Sequence, residues 1–459
     1  MSFELPKIAI LGTGYVGLTT GVTLAYLGND VICVDTDKEK ISKLRKGRSP
    51  IHEPHLEPLL QNERLDFSTE SDRVAGADII MVCVGTPSAD DGQANLSYLE
   101  LATQGIAETL QPDREYVVVV KSTVPVGTTD RVKFLLQETL KQRQVKTTVY
   151  VASNPEFLRE GVALYDMFYP DRIVVGVGQQ KASDLLWRLY RPLLEQSFDP
   201  PQGLERPDAF PPPAFVVVDP ISSELTKYAA NAFLATKISF INEIAGLCEK
   251  VGADVREVAR GIGLDKRIGS GFLQAGIGWG GSCFGKDTLS LIATAAEYHY
   301  PMTLLKATRT VNRAQRQWVI AKLQETLKTL RGRTVGVLGL AFKANTDDVR
   351  DAPSLDIIRK LLASGVNVQV HDPEAVANTR DVLENSAVRF LDHPEDVFCG
   401  AHAVLLLTEW KQYRSIPFAS VIHKMENPLI VDGRNYLDAK QLVQHGYRVI
   451  GVGHSCVSS

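Results

Sequence analysis

The pattern of apolar and polar positions changes character twice along the chain. From Lys7 to about residue 200, short β-branched runs alternate with helical stretches. KIAIL, DVICVD, ADIIMVCV, YVVVVKS, TTVYVAS and RIVVGVG read as strands. Their near-continuous apolar character suits strands covered on both faces, and the alternation predicts an α/β fold with a doubly wound parallel sheet. Between about 198 and 214 the prolines of FDPPQGLERPDAFPPPA cannot donate to a ladder or a helix, so this insertion reads as an irregular linker without a function of its own. From 221 to about 330 helical patterns take over, broken by a glycine-rich stretch at 269–281. At Arg333 the strand–helix rhythm returns with TVGVLGLAF, SLDIIRKLLASG, NVQVHDP, AHAVLLLTEW, NPLIVDG and YRVIGVG. Three domains are expected: 1–213, a helical 214–330, and 331–459, whose outline repeats the first.

Composition narrows the class. With 459 residues the chain is too long for one core, and 44% hydrophobic against 23% charged residues excludes global disorder. Fifty Lys+Arg against 54 Asp+Glu leave a net charge of −4, so no global basic field exists to attract nucleic acid or an anionic membrane. No apolar run approaches the ~18 residues of a spanning helix, and MSFELPK has no targeting character. Six cysteines lie scattered with no CxxC pair and no metal-type spacing, which argues against a disulfide framework and a metal site and for a reducing, cytoplasmic compartment. A soluble protein acting on small molecules is the expectation.

The strand KIAIL runs into Gly12-Thr13-Gly14-Tyr15-Val16-Gly17, then a helical stretch, then VICV and Asp35. Strand, GxGxxG, helix, strand, acid is the order of a dinucleotide-binding turn, in which glycines permit close approach of a pyrophosphate to a helix N-terminus. Asp35 would accept hydrogen bonds from ribose hydroxyls and repel a 2′-phosphate, which favours NAD over NADP. Two later strand ends, at Thr86 and at Lys121-Ser122-Thr123, carry small polar residues where open α/β sheets bind ligands.

A second centre gathers around GIGWGGSCFGKD. Ser282 suits an N-cap, which would place Cys283 in the first turn of a helix, where the dipole favours a thiolate. Asp287 follows four residues on, over the same face. The other five cysteines, Cys33, Cys83, Cys248, Cys399 and Cys456, read as small buried hydrophobes. Lys227 and Asn231 share one helix face and can donate to a developing oxyanion. SNPEFLREG is expected to open a helix at its proline, stacking Glu156 and Glu160 on one side.

Together GTGYVG, STVPVGTT, SNPEFLREG, ELTKYAANAFLATKISFINE, GIGWGGSCFGKD, GLAFK and DGRN resemble the UDP-glucose/GDP-mannose dehydrogenase family, in order and over nearly the whole chain. The resemblance implies two Rossmann-like domains joined by a helical domain whose long central helix forms a homodimer core. It implies oxidation of a nucleotide sugar's C6 alcohol to a carboxylate by two NAD, through a thiohemiacetal and a thioester on Cys283. Lys227 and Asn231 would stabilise the oxyanion, Asp287 and Thr123 would hold a water, and Glu156 would serve as general base. Cofactor contacts would come from Gly12, Gly14, Tyr15, Val16, Gly17, Asp35, Lys40, Thr86, Thr123, Glu160 and Lys286. Substrate contacts would come from Glu156, Phe157, Leu158, Lys227, Asn231, Phe272, Leu273, Gly280, Phe342, Lys343 and Arg434, with Arg267 reaching the neighbouring subunit's substrate.

Three positions depart from the family's wording: Trp279 where phenylalanine is usual, Gly285 where proline is usual, and Gln274 where animal members carry lysine. The GGSCF wording resembles members acting on UDP-glucose more than the GGHC of N-acetylhexosamine members. GDP-mannose or a UDP-N-acetylhexosamine is the alternative substrate. A two-electron β-hydroxyacid dehydrogenase, also built from a Rossmann domain and helices, leaves Cys283 and the third domain unexplained. A silent nucleotide-sugar binding protein leaves Cys283, Lys227, Asn231 and Asp287 unexplained.

Overall fold

In a computed structural model, which describes residues 5–89, 92–383 and 387–454, the chain forms two compact units. One comprises Met1–Ala230 with Leu289–Tyr298, the other Asn231–Thr288 with His299–Ser459. The first is built on an eight-stranded sheet: β1 (Ile8–Leu11), β2 (Val31–Val34), β3 (Leu65–Ser68), β4 (Ile79–Val82), β5 (Glu115–Val120), β6 (Thr148–Ser153), β7 (Arg172–Val177) and β8 (Ala214–Val218). Its order is β3-β2-β1-β4-β5-β6-β7-β8. Neighbours run parallel except β6 and β7, which meet antiparallel through Ala152 opposite Val177 and Ser153 opposite Gly176. Helices cover both faces, and two separate apolar cores form, one containing Ile8, Ile10 and Met81, the other Ala9, Leu11 and Val82. That division follows from side-chain alternation in strands buried on both sides.

The second unit carries a wholly parallel six-stranded sheet: β9 (Thr334–Leu338), β10 (Asn367–His371), β11 (Val388–Phe390), β12 (Ala403–Leu406), β13 (Leu429–Asp432) and β14 (Arg448–Gly451), in the order β11-β10-β9-β12-β13-β14. The two α/β halves expected from the sequence are present. The strands LDFS, AFVVV and VRF, at β3, β8 and β11, were not read: LDFS and VRF are short and carry polar residues, and AFVVV directly follows the prolines of the insertion.

The expected linker is not passive. Beyond ending in β8, it packs Phe198 against Phe168 at 5.5 Å and Phe210 edge-on to Tyr169 at 5.6 Å, while the Tyr169 hydroxyl donates to Leu204 O at 2.7 Å. Its prolines exclude regular structure, but its aromatics fill the gap outside the helices Tyr15–Tyr26 and Ala163–Phe168.

The long helix Pro220–Val251 has 32 residues, which at 1.5 Å per residue is about 48 Å. Among the described residues no helix is long and apolar enough to cross a membrane.

Candidate active site

Parallel registry brings the ends of β1, β4 and β5 to one edge of the first sheet, where the loops after Leu11, Val82 and Val120 begin. Gly12 has φ 95°, and a Cβ there would lie 2.8 Å from the Cys83 carbonyl; a Cβ on Gly17 would fall 1.9 Å from Gly12 O. These two glycines are required for the turn to close. Gly14 is different: nothing lies within 4 Å of its absent Cβ, so its backbone is open to a ligand at the uncapped start of the helix Tyr15–Tyr26.

Asp35 follows β2 and turns back onto this loop. Its Oδ2 accepts from Thr13 N at 2.8 Å and Thr13 Oγ1 at 2.7 Å, and Oδ1 accepts from Asp37 N at 3.0 Å. Burial pushes the carboxyl up, but the bonds from Asp37 and Thr13 and the charge of Lys40 outweigh it and hold the group below its ordinary range. An open glycine backbone at a helix start beside an ionised acid fits a dinucleotide whose ribose carries a free 2′-hydroxyl. Thr86 ties the neighbouring loops together, donating from Oγ1 to Thr123 O at 2.7 Å. The Tyr15 hydroxyl donates to His52 O at 3.2 Å.

Also in the first unit, Lys227 Nζ lies 2.9 Å from Glu156 Oε1, with side chains only 4% and 7% exposed. Glu156 Oε2 accepts from Leu158 N at 2.5 Å. Burial pushes the Glu156 carboxyl up; the Lys227 charge, the Leu158 N–H and the more distant Lys121 charge prevail and hold it below its ordinary range. The expected helix over SNPEFLREG is absent: residues 154–159 form an extended loop, and the helix starts at Ala163. Glu156 closes a local turn with its own backbone neighbour and pairs with Lys227, so it does not stack with Glu160. The Arg172 guanidinium lies 3.8 Å over the Phe157 ring.

The helix Phe284–Glu297, whose start belongs to the second unit, begins one residue later than expected. Cys283 itself occupies the cap position: its carbonyl accepts the first helical bond from Asp287 N at 2.8 Å, and its Sγ lies 3.4 Å from Ser282 Oγ. Unlike the buried Cys33, Cys83 and Cys248, it is partly exposed. Cys399 is exposed, not the buried hydrophobe expected, because it follows a short 3-10 turn at the surface; Cys456 lies outside the described residues.

Asp287 is 1% exposed and held from two sides, by Asn231 Nδ2 to Oδ2 at 2.6 Å and Lys286 Nζ to Oδ1 at 2.6 Å. The Asn231 amide is thus engaged by a carboxylate.

The glycine-rich loop before Cys283 is pinned by long-range bonds. Gly276 N donates to Asn242 Oδ1 and Trp279 N to Asn312 Oδ1, both at 2.8 Å, and the Trp279 indole donates to Ser239 Oγ at 3.0 Å. Trp279 therefore adds a hydrogen bond that phenylalanine cannot make. A Cβ on Gly281 would strike the Phe342 ring at 2.7 Å, and one on Gly285 would lie 2.8 Å from Asp351 Oδ2. Arg434 donates to Leu407 O at 2.8 Å, Phe342 O at 3.1 Å and Gly278 O at 3.3 Å, and so bolts this loop to the ends of the second sheet. Phe272, at φ 64°, places its ring 6.4 Å from that of Phe284, and Leu273 is buried. Lys343 Nζ lies 5.5 Å from the Phe342 ring. Arg267 is almost fully exposed and pairs with Asp265 at 2.6 Å.

The second sheet repeats the acid-to-loop contact of the first. Asp372, after β10, accepts from Leu340 N at 2.7 Å and Ala341 N at 3.1 Å, but Trp410 Nε1 also donates to it at 3.1 Å and it is buried. The ribose-acid position is filled by the protein's own donors there.

Among the buried polar residues are two carboxylates and one cation whose contacts the sequence reading did not assign. Glu224 accepts from Gly127 N, Thr129 N and Thr129 Oγ1 at 2.6–2.7 Å, fixing the helix that follows Thr123. Glu53 accepts from Gly161 N at 2.9 Å and Leu164 N at 3.1 Å. Lys121 lies buried after β5. Of the three, Lys121 stands in a strand end already singled out, directly after the valine run YVVVV.

Comparison with known proteins matches three successive parts of the chain to one family. Residues 6–194 match the UDP-glucose/GDP-mannose dehydrogenase family NAD binding domain, 221–314 its central domain, and 336–439 its UDP binding domain. UDP-glucose 6-dehydrogenase YwqF of Bacillus subtilis (strain 168) is 45% identical over 456 residues, covering 98% of either chain. The structure of a UDP-glucose dehydrogenase from the archaeon Pyrobaculum islandicum superposes with a TM-score of 0.87 at 38% identity, covering 99% of both chains. That of a UDP-D-ManNAc dehydrogenase from Pyrococcus horikoshii gives 0.82 at 27% identity, covering 97% of this chain and 99% of that one.

Proposed function

The chain belongs to the UDP-glucose/GDP-mannose dehydrogenase family, and from that premise we propose that it oxidises UDP-glucose to UDP-glucuronate with NAD, in the balance UDP-glucose + 2 NAD+ + H2O. The relatives that cover its full length support UDP-glucose over GDP-mannose or a UDP-N-acetylhexosamine. The observation that carries the reading is the partly exposed Cys283 at the head of the helix Phe284–Glu297, one turn before a buried Asp287 that Asn231 and Lys286 hold in place.

NAD, when bound, accepts a hydride from C6 in each of two successive oxidations. The glycines of the Gly12–Gly17 turn and Asp35 would hold it, and the family resemblance would add Tyr15, Val16, Lys40, Thr86, Thr123, Glu160 and Lys286 as contacts. Cys283 attacks the aldehyde carbon left by the first oxidation, and the new C–S bond gives a thiohemiacetal. Lys227 and Asn231 donate to its oxygen. After the second oxidation the carbon is a thioester, and a water held by Asp287 and Thr123 attacks it. Glu156 takes that water's proton, the C–S bond breaks, and Cys283 leaves as the thiolate. Phe157, Leu158, Phe272, Leu273, Gly280, Phe342, Lys343 and Arg434 line the substrate in this reading, and it keeps the division into 1–213, 214–330 and 331–459.

The same reading makes the protein a homodimer in the cytoplasm. Phe233, Phe240 and Leu247, spaced seven apart on the long helix, are 65%, 49% and 57% exposed. A stripe of large apolar side chains at that spacing suits a helix packed on its copy. Arg267 would then reach the partner's substrate.

The test is the number of NADH formed per sugar, with limiting UDP-glucose and excess NAD. Two NADH and an acidic product are expected, and Cys283→Ala should lower acid formation by about a thousandfold or more. One NADH per sugar, or a fully active Cys283→Ala enzyme, would sink the thioester route. Two NADH only with GDP-mannose or UDP-N-acetylglucosamine would keep the route and change the substrate.

A further inference from the structure

Lys121 follows β5 and is 4% exposed, yet its nitrogen donates to an amide rather than a carboxylate, Asn154 Oδ1 at 3.1 Å. That oxygen also accepts from the Tyr190 hydroxyl at 2.5 Å, and the Asn154 amide donates to Val174 O at 2.8 Å, so the acceptor is fixed. The Tyr190 ring centre is 5.9 Å from the ammonium. Burial pulls the Lys121 ammonium below its ordinary range; of the groups facing it from three other segments, Cys83 after β4 and Glu156 after β6 favour its charge and Lys227 on the long helix opposes it. Burial pushes the Cys83 thiol up to about 12, so it stays neutral, and Glu156 is the anion that Lys121 faces. Glu156 in turn sees two cations, Lys227 in direct contact at 2.9 Å and Lys121 further off.

A buried ammonium is costly unless an anion compensates it. The arrangement has a use once Lys227 has two demands on it. In the reaction proposed above, Lys227 turns to the oxygen on C6, and a carboxylate as buried as Glu156 would then gain a proton and cease to be a base. We propose that Lys121 is a positioning residue, a fixed positive charge that keeps Glu156 a carboxylate while Lys227 is engaged with the sugar. This rests on Glu156 as base and Lys227 as oxyanion partner.

The experiment compares Lys121→Met, Lys121→Gln and Glu156→Gln with the unaltered protein, recording kcat against pH at saturating UDP-glucose and NAD, and thermal unfolding of each. Methionine keeps the length and deletes the charge, at a cost in stability because one partner of a buried charge cluster is removed; glutamine keeps a donor for Asn154. Both Lys121 variants are expected to melt cooperatively at a lowered temperature, still folded at the assay temperature, with KM within about twofold. Their acid limb of kcat should move to higher pH by about one unit, the loss of a nearby opposite charge. If Lys121→Met does not fold, Lys121→Gln decides. An acid limb superimposed on the parent's, or a kcat lowered equally at every pH, overturns the proposal, provided that Glu156→Gln is folded and inactive. An active Glu156→Gln enzyme overturns the role of Glu156 itself, and the proposal with it, so the two failures are separable.

Discussion

Asn231 Nδ2 donates to Asp287 Oδ2 at 2.6 Å, joining the long helix to the helix headed by Cys283 across 56 positions of sequence. With Lys286 on the other oxygen, the carboxylate is fixed and desolvated, which suits a group that orients a water. Asp287→Asn should spare the two oxidations and slow the hydrolysis, lowering kcat by about 10²- to 10³-fold. Rapid mixing should then show a burst of about two NADH per site before a slow steady rate. Intact mass of the quenched protein should show the sugar attached to Cys283; a burst-free variant with no adduct would remove Asp287 from the hydrolytic step.

The Lys227–Glu156 pair carries a pH signature. Glu156 is held below its ordinary range, so the pair's stabilisation is fully present above the unfolded carboxyl value and is lost as pH falls through the folded one. Glu156→Gln should cost roughly 2 kcal/mol near neutrality, where it replaces a buried anion facing Lys227. The gap in melting temperature between parent and variant should begin to close below about pH 4. A gap constant from pH 7 to pH 3 would mean that the pair is not ionised.

In the proposed function, Asp35 is the residue that favours NAD over NADP. Losing its charged acceptor removes roughly 1.5–3 kcal/mol of binding, so Asp35→Ser should raise KM for NAD by about 10- to 150-fold. The rejection of NADP should weaken at the same time. Initial rates with both cofactors check this, and an unchanged KM for NAD would refute the assignment.

The exposed stripe on the long helix predicts its own partner. Phe240→Glu places a charge among Phe233 and Leu247; if the proposed homodimer forms through this stripe, sedimentation velocity should show a dimer for the parent and a shift toward monomer for the variant at micromolar protein. A dimer of unchanged affinity would place the interface elsewhere.

Much of the fold was legible because its signals are local. GTGYVG between two apolar strands, and the apolar strand runs, six in the first α/β half and five in the second, are each written within a few residues. The strands β3 and β11 were not, because LDFS and VRF are short and interrupted by polar residues, and β8 was hidden behind the prolines that precede it. The proline-rich insertion looked empty because its prolines announce irregular backbone, whereas its packing depends on Tyr169 and Phe168, some 30 to 40 positions away. At the site, the sequence chose the chemistry: a cysteine at a helix start, a lysine and an asparagine one turn apart, an acid after β2.

What the sequence by itself determined, then, is the set of turns, helices and strands, and which residue types stand at their ends, since backbone hydrogen bonding and the 3.6- and 2-residue periods act over a few positions. Which charges face each other was decided only by the tertiary structure. Lys227 meets Glu156 from 71 positions away, Lys121 reaches Asn154 across 33, and Asp287 takes Asn231 across 56. Desolvation makes those meetings count, because a buried charge interacts strongly with whatever chain packing sets beside it. Helix and strand periods say nothing about that neighbour.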